Sequence, residues 1–181
     1  MLNIRLATSD DAPAIARVHI DSWRVAYQDI IPEDKLYGLD YVRVTESFRK
    51  SISFGTEDIY LAEENCYVLG FLAFNGRIDL GFSREIITGT CAIYLTPENW
   101  RKGIGRMLYQ ACEKTLRSIS CATVTLWVFA DNVRARLFYE AMGFTTDGEA
   151  TVLNMGASVK AVHYRKDIGY ARMAEHSVFL H

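Results

Sequence analysis

The sequence predicts a single α/β domain of the mixed α+β kind. Three observations predict it: the chain has 181 residues, 50% of them are apolar, and helix-like and strand-like segments alternate along it. A chain of this length typically forms one domain, and this apolar share is sufficient for a packed core. The predicted order is strand, two helices, three strands, helix, strand, helix, and then one or two strands.

The first part of the chain carries one strand and two helices. Ile4–Leu6 has the pattern of a short strand, and Pro13 suits the first turn of the helix that follows it. Apolar residues at helical spacing continue this helix to about Tyr27, and Pro32 interrupts the pattern. A second helix is predicted over Tyr41–Ser53.

Three strand-like runs follow. They cover Asp58–Glu64, Tyr67–Gly76 and Thr90–Thr96, and the residues around Asn65 form a plausible hairpin turn between the first two. The segment Arg77–Gly89 fits either an irregular loop or part of a strand.

The second half alternates helix and strand. A helix begins near Gly103, a strand with a two-residue period covers Ala122–Ala130, and a short helix starts near Asn132 and ends at Gly143. The last two strands are predicted around Thr151–Asn154 and Lys160–Lys166.

Composition excludes several classes of function. A formal net charge of −2 and a pI near 6.1 give no broad basic surface for nucleic acid or an anionic membrane. The chain shows no secretion signal and no run near the ~18 apolar residues of a membrane span. Its four cysteines form no CxxC pair and its four histidines lack metal-ligand spacing. We therefore expect a cytoplasmic protein with reduced cysteines and no metal.

One stretch, PENWRKGIGRML at Pro97–Leu108, has the features of an anion site. It lies between a strand and a helix, where the first backbone N–H groups of the helix lack internal partners and carry a partial positive charge. Gly103 and Gly105 let a ligand approach the backbone without a Cβ in the way. Three basic side chains stand beside them: Arg101, Lys102 and Arg106.

Two other phosphate motifs do not fit this stretch. A Walker A loop requires GxxxxGK[ST], which is absent from the sequence. A dinucleotide fingerprint requires GxGxxG, and Leu108 stands where the third glycine would be. From this motif alone, a tight strand-to-helix turn with solvated basic residues is an equally good interpretation.

A second motif, NVRARLFYEAMGF at Asn132–Phe144, follows the first in the sequence, and the two together point to one family. Together with PENWRKGIG it resembles the GNAT superfamily of acyl-CoA-dependent N-acetyltransferases, in which the [RQ]xxGxG turn holds the pyrophosphate of coenzyme A. The family's NxxAxxxYxxxGF signature is matched by Asn132, Ala135, Tyr139, Gly143 and Phe144. The resemblance runs from Ile4 to about Ile168.

The resemblance implies a GNAT-like domain at residues 1–168, with a central, mostly antiparallel mixed sheet flanked by helices. Residues 169–181 are then a C-terminal extension whose role is open. An extra helix and a dimer-contacting arm both fit this extension, because Met173, Phe179 and Leu180 are apolar enough to require cover.

The resemblance also implies roles for individual residues, with acetyl-CoA as co-substrate. Tyr139 is the expected general acid, returning a proton to the departing thiolate, and also contacts the cofactor. Asn132 is expected to hydrogen-bond the cofactor arm. The other expected cofactor-binding residues are Tyr94, Leu95, Arg101, Lys102, Gly103, Ile104, Gly105 and Arg106.

Two positions depart from the family pattern. Many members carry a glutamate base in the strand before the glycine turn, where this chain has Gly89. Glu85, Asp79 or a water chain could replace it, although each carboxylate also fits a solvated loop position. Trp100 stands where arginine or glutamine is usual, and Arg101 could supply the missing charge.

The acceptor side is expected to include Trp23, Tyr27 and Tyr94, which suggests a partly apolar pocket. A core role for Trp23 and Tyr27 is an equally good interpretation. The favoured function is acetylation of a primary amine on a small molecule. A homodimer is compatible with the sequence. The alternatives are acetylation of a protein N-terminus or lysine, and a non-catalytic module that senses coenzyme A.

Overall fold

The computed structural model describes the backbone of residues 1–81 and 84–169, and side chains in these ranges outside residues 76–88. Apart from Gly169, the predicted C-terminal extension lies outside the described residues. Within the described ranges, none of the helices combines the length and apolarity needed to cross a membrane.

Seven strands form one mixed sheet in the order β1-β2-β3-β4-β5-β7-β6. Every neighbouring pair is antiparallel except β4 and β5, which are parallel. This confirms the mostly antiparallel sheet that the family resemblance implied. The strands are β1 Asn3–Leu6, β2 Asp58–Glu64, β3 Tyr67–Gly81, β4 Arg84–Leu95, β5 Cys121–Phe129, β6 Thr145–Asn154 and β7 Ser158–Asp167.

Helices cover both faces of the sheet. Alternate residues of one strand face opposite sides, so Leu61 packs with α1 and α3 while Tyr60 packs with α4. The helices are α1 Ala12–Ala26, α2 Glu33–Tyr37, α3 Tyr41–Ser53, α4 Ile104–Ser118 and α5 Val133–Ala141, with short 3₁₀ turns at Ser9–Asp11 and Pro97–Asn99.

Two elements differ from the sequence-based expectation. The undecided segment Arg77–Gly89 extends β3 and β4 into a long hairpin, paired from Gly70 with Leu95 to Gly81 with Arg84. The helix α2 was not predicted. It has five residues after Pro32 and buries only Leu36, so it is too short to show a periodic pattern.

The two parallel strands separate toward their carboxyl ends. β4 and β5 pair only from Ile87 with Cys121 to Thr90 with Thr125. Beyond these residues β4 stays paired with β3 as far as Leu95, while β5 stays paired with β7 as far as Phe129. The sheet therefore opens between its central strand β4 and the neighbouring strand β5, and this opening positions the functional site.

Candidate active site

A cleft of about 460 Å³ occupies the opening between β4 and β5. Its walls come from α1, the ends of β4 and β5, the turn before α4, and the first turns of α5. Concave sites where several elements converge are the usual location of ligand-binding sites. Tyr94 and Leu95, both predicted to bind the cofactor, line this cleft.

The amino terminus of α4 lies at the rim of the cleft. Gly103 is its N-cap residue, with a φ of +83° and open space where a Cβ would stand. Its lack of a side chain leaves the first-turn N–H groups of α4 without a side-chain cap. Arg101, with a φ of +61°, also lines the cleft. This end of the helix can therefore receive an anion.

The other residues of the glycine turn have different positions. The Lys102 Nζ donates to Asn99 Oδ1 at 3.1 Å. Arg106 is exposed and Ile104 is buried in the core. At Gly105, a Cβ would come 3.2 Å from the ring of Phe138, so this glycine also permits the close approach of α4 and α5.

Trp100 has a structural role in this turn. Its Nε1–H donates to the carbonyl oxygen of Leu95 at 2.9 Å. The guanidinium carbon of Arg134 lies 3.3 Å from the centre of the Trp100 ring, a cation–π contact. Burial, and to a smaller extent Arg101, lower the pKa of Arg134. Sequence reasoning missed Arg134, although it stands inside the NVRA part of the second motif.

Tyr139 is buried and lines the cleft. Burial raises the pKa of its phenol well above the ordinary value, while the backbone of Ile93 faces the hydroxyl and partly offsets this effect. The phenol is therefore protonated at neutral pH and able to donate a proton.

Asn132 holds the start of the same helix. Its side-chain Oδ1 accepts a hydrogen bond from the Ala135 N–H at 3.2 Å, as an N-cap residue does. Its carboxamide also faces the hydroxyl of Tyr27. Asn132 lines the cleft as well, and its contact with the cofactor arm stays a prediction.

Aromatic side chains from the end of α1 and the end of β5 form one wall of the cleft. Tyr27 makes edge-to-face contacts with Trp23, at 5.0 Å between ring centroids, and with Phe129, at 4.9 Å. Trp23, Tyr27 and Tyr94 all line the cleft, as does Phe129, which sequence reasoning missed. Burial raises the pKa of both Tyr27 and Tyr94.

The position of the missing glutamate is closed by packing. A Cβ built on Gly89 would lie 2.1 Å from Cε2 of Phe74, so the phenyl ring occupies the space of any side chain there. Asp79 and Glu85 pair with Ile86 and Leu80 in the β3–β4 hairpin, and their side chains lie outside the described set. Among the described residues that line the cleft there is no Asp or Glu.

One group of potential metal ligands is present in the described part of the chain. Asp147, Glu149 and His163 bring ligand atoms within 4.8 Å of one another. His163 Nδ1 already lies 2.5 Å from Asp147 Oδ2, and none of the three lines the cleft. The group therefore adds nothing to the chemistry of the cleft.

Comparison with known proteins agrees with this geometry. Residues 17–144 match the Acetyltransferase (GNAT) family. The uncharacterised N-acetyltransferase YuaI of Bacillus subtilis is 33% identical over 145 residues, covering 78% of this chain and 79% of YuaI. The spermidine N(1)-acetyltransferase of Thermoplasma acidophilum is 26% identical over 159 residues, covering 84% of this chain and 95% of that protein.

A solved structure shows the same fold. The PaiA N-acetyltransferase of Thermoplasma acidophilum, crystallised with coenzyme A, superimposes with a TM-score of 0.72 over 92% of this chain and 99% of its own, at 20% identity. The chain belongs to the GNAT family of acetyltransferases. It is accordingly an N-acetyltransferase that uses acetyl-CoA.

Proposed function

We propose that the protein transfers the acetyl group of acetyl-CoA to a primary amine of a small molecule, by direct attack in a ternary complex. The observation that carries this proposal is the position of Tyr139. Its hydroxyl is buried in the cleft between β4 and β5, beside the backbone of Ile93. A protonated phenol at this point suits a general acid for the departing sulfur.

The cofactor's anionic groups match the rim of the cleft. The amino terminus of α4 offers backbone N–H groups, and Arg101 and Arg134 add two guanidinium groups. These features would bind the diphosphate, and the edge of β4 at Tyr94 and Leu95 would hold the pantetheine arm. Acetyl-CoA then supplies an activated acyl group with thiolate as leaving group.

The energetics of the proton transfer are acceptable. Donation from a phenol with pKa near ~10 to a thiolate whose acid has pKa near ~8.5 is uphill by roughly 2 kcal/mol. Burial raises the pKa of Tyr139 further, but a sulfur bound in the same cleft is also desolvated, which raises its proton affinity in the same direction. The two pKa values therefore shift in the same direction, and the two shifts partly offset each other.

The aromatic wall supports a small acceptor, because the rings of Trp23, Tyr27 and Phe129 pack edge to face and offer an apolar surface within the cleft. One relative is named a spermidine N(1)-acetyltransferase, so a polyamine is the competing kind of small acceptor. Acetylation of a protein N-terminus or lysine stays a competing proposal. A cytoplasmic location, where acetyl-CoA is available, completes the proposal.

The test is an assay of free thiol released from acetyl-CoA in the presence of a panel of primary amines, with coenzyme A binding measured by calorimetry. We expect tight cofactor binding, turnover with at least one amine, and intersecting initial-rate plots, as direct attack requires. Tight binding without turnover on any amine would support a sensor of coenzyme A and would overturn the proposal. Parallel plots would indicate an acetyl-enzyme and would overturn direct attack.

A further inference from the structure

The cleft contains a proton donor but, among its described residues, no evident proton acceptor for neutral pH. Its three phenols, Tyr27, Tyr94 and Tyr139, all have a raised pKa because they are buried. Phenols with a raised pKa keep their protons at neutral pH and cannot take one from an ammonium group. Cys91, beside Tyr139, is buried too, and burial raises the pKa of its thiol to about 12.

Among the described residues, His19 and His163 pack against side chains that line the cleft, but neither imidazole lines it; His163 lies against Trp127, with ring centroids 4.9 Å apart. His19 on α1 packs against Tyr94, with ring centroids 4.9 Å apart, and against Trp23 at 5.1 Å. Its Nδ1 is buried without a hydrogen-bond partner, and burial lowers its pKa to about 4. His19 does not line the cleft, so it cannot contact an acceptor there.

Among the described residues that line the cleft, no carboxylate is available as the base either. The phenyl ring of Phe74 fills the space beside Gly89. Glu85 precedes Gly89 by four positions in β4, roughly 13 Å along a strand, and its backbone pairs with Leu80 at the far part of the hairpin. The experiment below tests Glu85 and Asp79 directly.

The charge of the described lining is positive. Arg101 at the turn and Arg134 on α5 are the charged residues among the described groups of the cleft, and Arg101 contributes to the lowered pKa of Arg134. This pair suits the phosphates of the cofactor. It offers no counter-charge to an acceptor that carries one or more ammonium groups.

We infer that the acceptor reacts as a free base: the substrate class is a weakly basic primary amine on an aromatic or apolar body, rather than a polyamine. This inference rests on the proposed function and names the acceptor of the same site. The aromatic body would lie against Trp23, Tyr27 and Phe129, whose rings form the acceptor wall.

If the attacking amine is neutral, one residue, Tyr139, can carry out both proton transfers of the reaction. The nitrogen lone pair attacks the thioester carbon, the C–N bond forms, and the C–S bond breaks with its electron pair on sulfur. Tyr139 gives its proton to that sulfur, and the resulting phenolate takes the surplus proton from nitrogen. The products are a neutral amide and a neutral thiol, and Tyr139 is restored. An ammonium acceptor would carry one proton more and would require a separate base.

The decisive experiment compares phenethylamine with its β,β-difluoro analogue. The two have the same ring and chain length, but fluorine makes the second amine a much weaker base. We expect the rising limb of kcat/KM against pH to move to lower pH for the difluoro amine, by the difference between the two solution pKa values. At a pH below both pKa values, its free-base fraction is larger by about tenfold for each unit of that difference. An inflection at the same pH for both amines would report a base on the enzyme and would overturn the inference.

Binding gives a readout that does not depend on turnover. With coenzyme A bound, calorimetry of phenethylamine at pH 7 in two buffers of different ionisation enthalpy measures the protons released. We expect about one proton released for each amine bound and weaker binding of spermidine. Binding without proton release, or a preference for spermidine, would contradict the inference. Failure of transfer with normal proton-linked binding would count against the proposed function alone.

Two variants test the carboxylates of the hairpin. Glu85→Gln and Asp79→Asn are expected to leave both pH profiles unchanged, within about twofold in kcat/KM. Loss of the rising limb in either variant, with coenzyme A affinity retained, would identify that carboxylate as the base and overturn the inference.

Discussion

The guanidinium group of Arg134 lies on the face of Trp100, with its carbon 3.3 Å from the ring centre. Trp100 is itself fixed by the hydrogen bond from its Nε1–H to the Leu95 carbonyl. A residue from α5 thus supplies positive charge at the point where the family usually has an arginine or glutamine in the turn. Arg134 and Arg101 both line the cleft, and the amino terminus of α4 lies at its rim.

This arrangement predicts that Arg134→Gln weakens the binding of acetyl-CoA. A hydrogen bond to a charged group contributes about 1.5–3 kcal/mol, so the Kd is expected to rise roughly 10- to 100-fold. Calorimetry at two salt concentrations measures the change. Arg43→Gln, on the exposed surface of α3, is the control and should leave the Kd unchanged. Equal affinity of the wild type and Arg134→Gln would contradict the role of Arg134.

Gly103→Ala is expected to reduce both stability and cofactor binding. A residue with a Cβ is strained at a φ of +83°, at a cost of about 1–2 kcal/mol. Gly55 provides a matched control, because it has a φ of +62° and equally open surroundings but does not line the cleft. Thermal unfolding should show similar losses for the two alanine variants. Only Gly103→Ala should raise the Kd for coenzyme A, and an equal effect at Gly55 would refute the anion site.

Gly89→Ala is expected to destabilise the fold because its Cβ would lie 2.1 Å from the Phe74 ring. Overpacking of this kind typically costs about 1–3 kcal/mol. The double variant Gly89→Ala/Phe74→Leu should lose less than the sum of the two single losses, since the smaller side chain makes room. Urea unfolding of all four proteins measures the coupling. Additive losses would show that the two residues do not compete for one space.

Stability at acidic pH is expected to depend on Asp11. Arg5 donates to both oxygens of Asp11 at 2.8 Å, and this pairing lowers the pKa of the carboxyl to about 2. A lowered carboxyl pKa stabilises the folded state above the unfolded value near ~3.9, and the contribution disappears as pH falls toward the folded value. Asp11→Asn should cost about 2 kcal/mol at pH 7 and much less near pH 2. Urea unfolding across this pH range measures it, and a pH-independent loss would contradict the assignment.

Much of the fold could be predicted from local patterns. The heptad-like spacing of Ile104, Leu108 and Ala111 gave the helix α4, and the two-residue period of Val124, Leu126 and Val128 gave β5, because both patterns reflect one buried face. The long β3–β4 hairpin could not be decided. Its sequence mixes glycines, charges and apolar residues, and its pairing depends on contacts between the two strands.

In the candidate site, too, local motifs could be predicted, whereas contacts between distant residues could not. The family resemblance predicted Tyr94, Gly103, Asn132 and Tyr139 as site residues, and the structure brings all four to one cleft or its rim. The stacking of Arg134 on Trp100 joins residues that are distant in sequence, so no local spacing indicates it. Likewise, the ring of Phe74 explains why position 89 has no side chain only once β3 and β4 are paired.

The most direct test of the central claim is the rate of thiol release by Tyr139→Phe. The matched control is Tyr109→Phe, because Tyr109 is another buried tyrosine, on α4, that does not line the cleft. Loss of the general acid should lower kcat by about 10²- to 10⁴-fold while the Kd for coenzyme A changes little. Tyr109→Phe should keep nearly full kcat. A Tyr139→Phe enzyme with the kcat of the wild type would contradict the account.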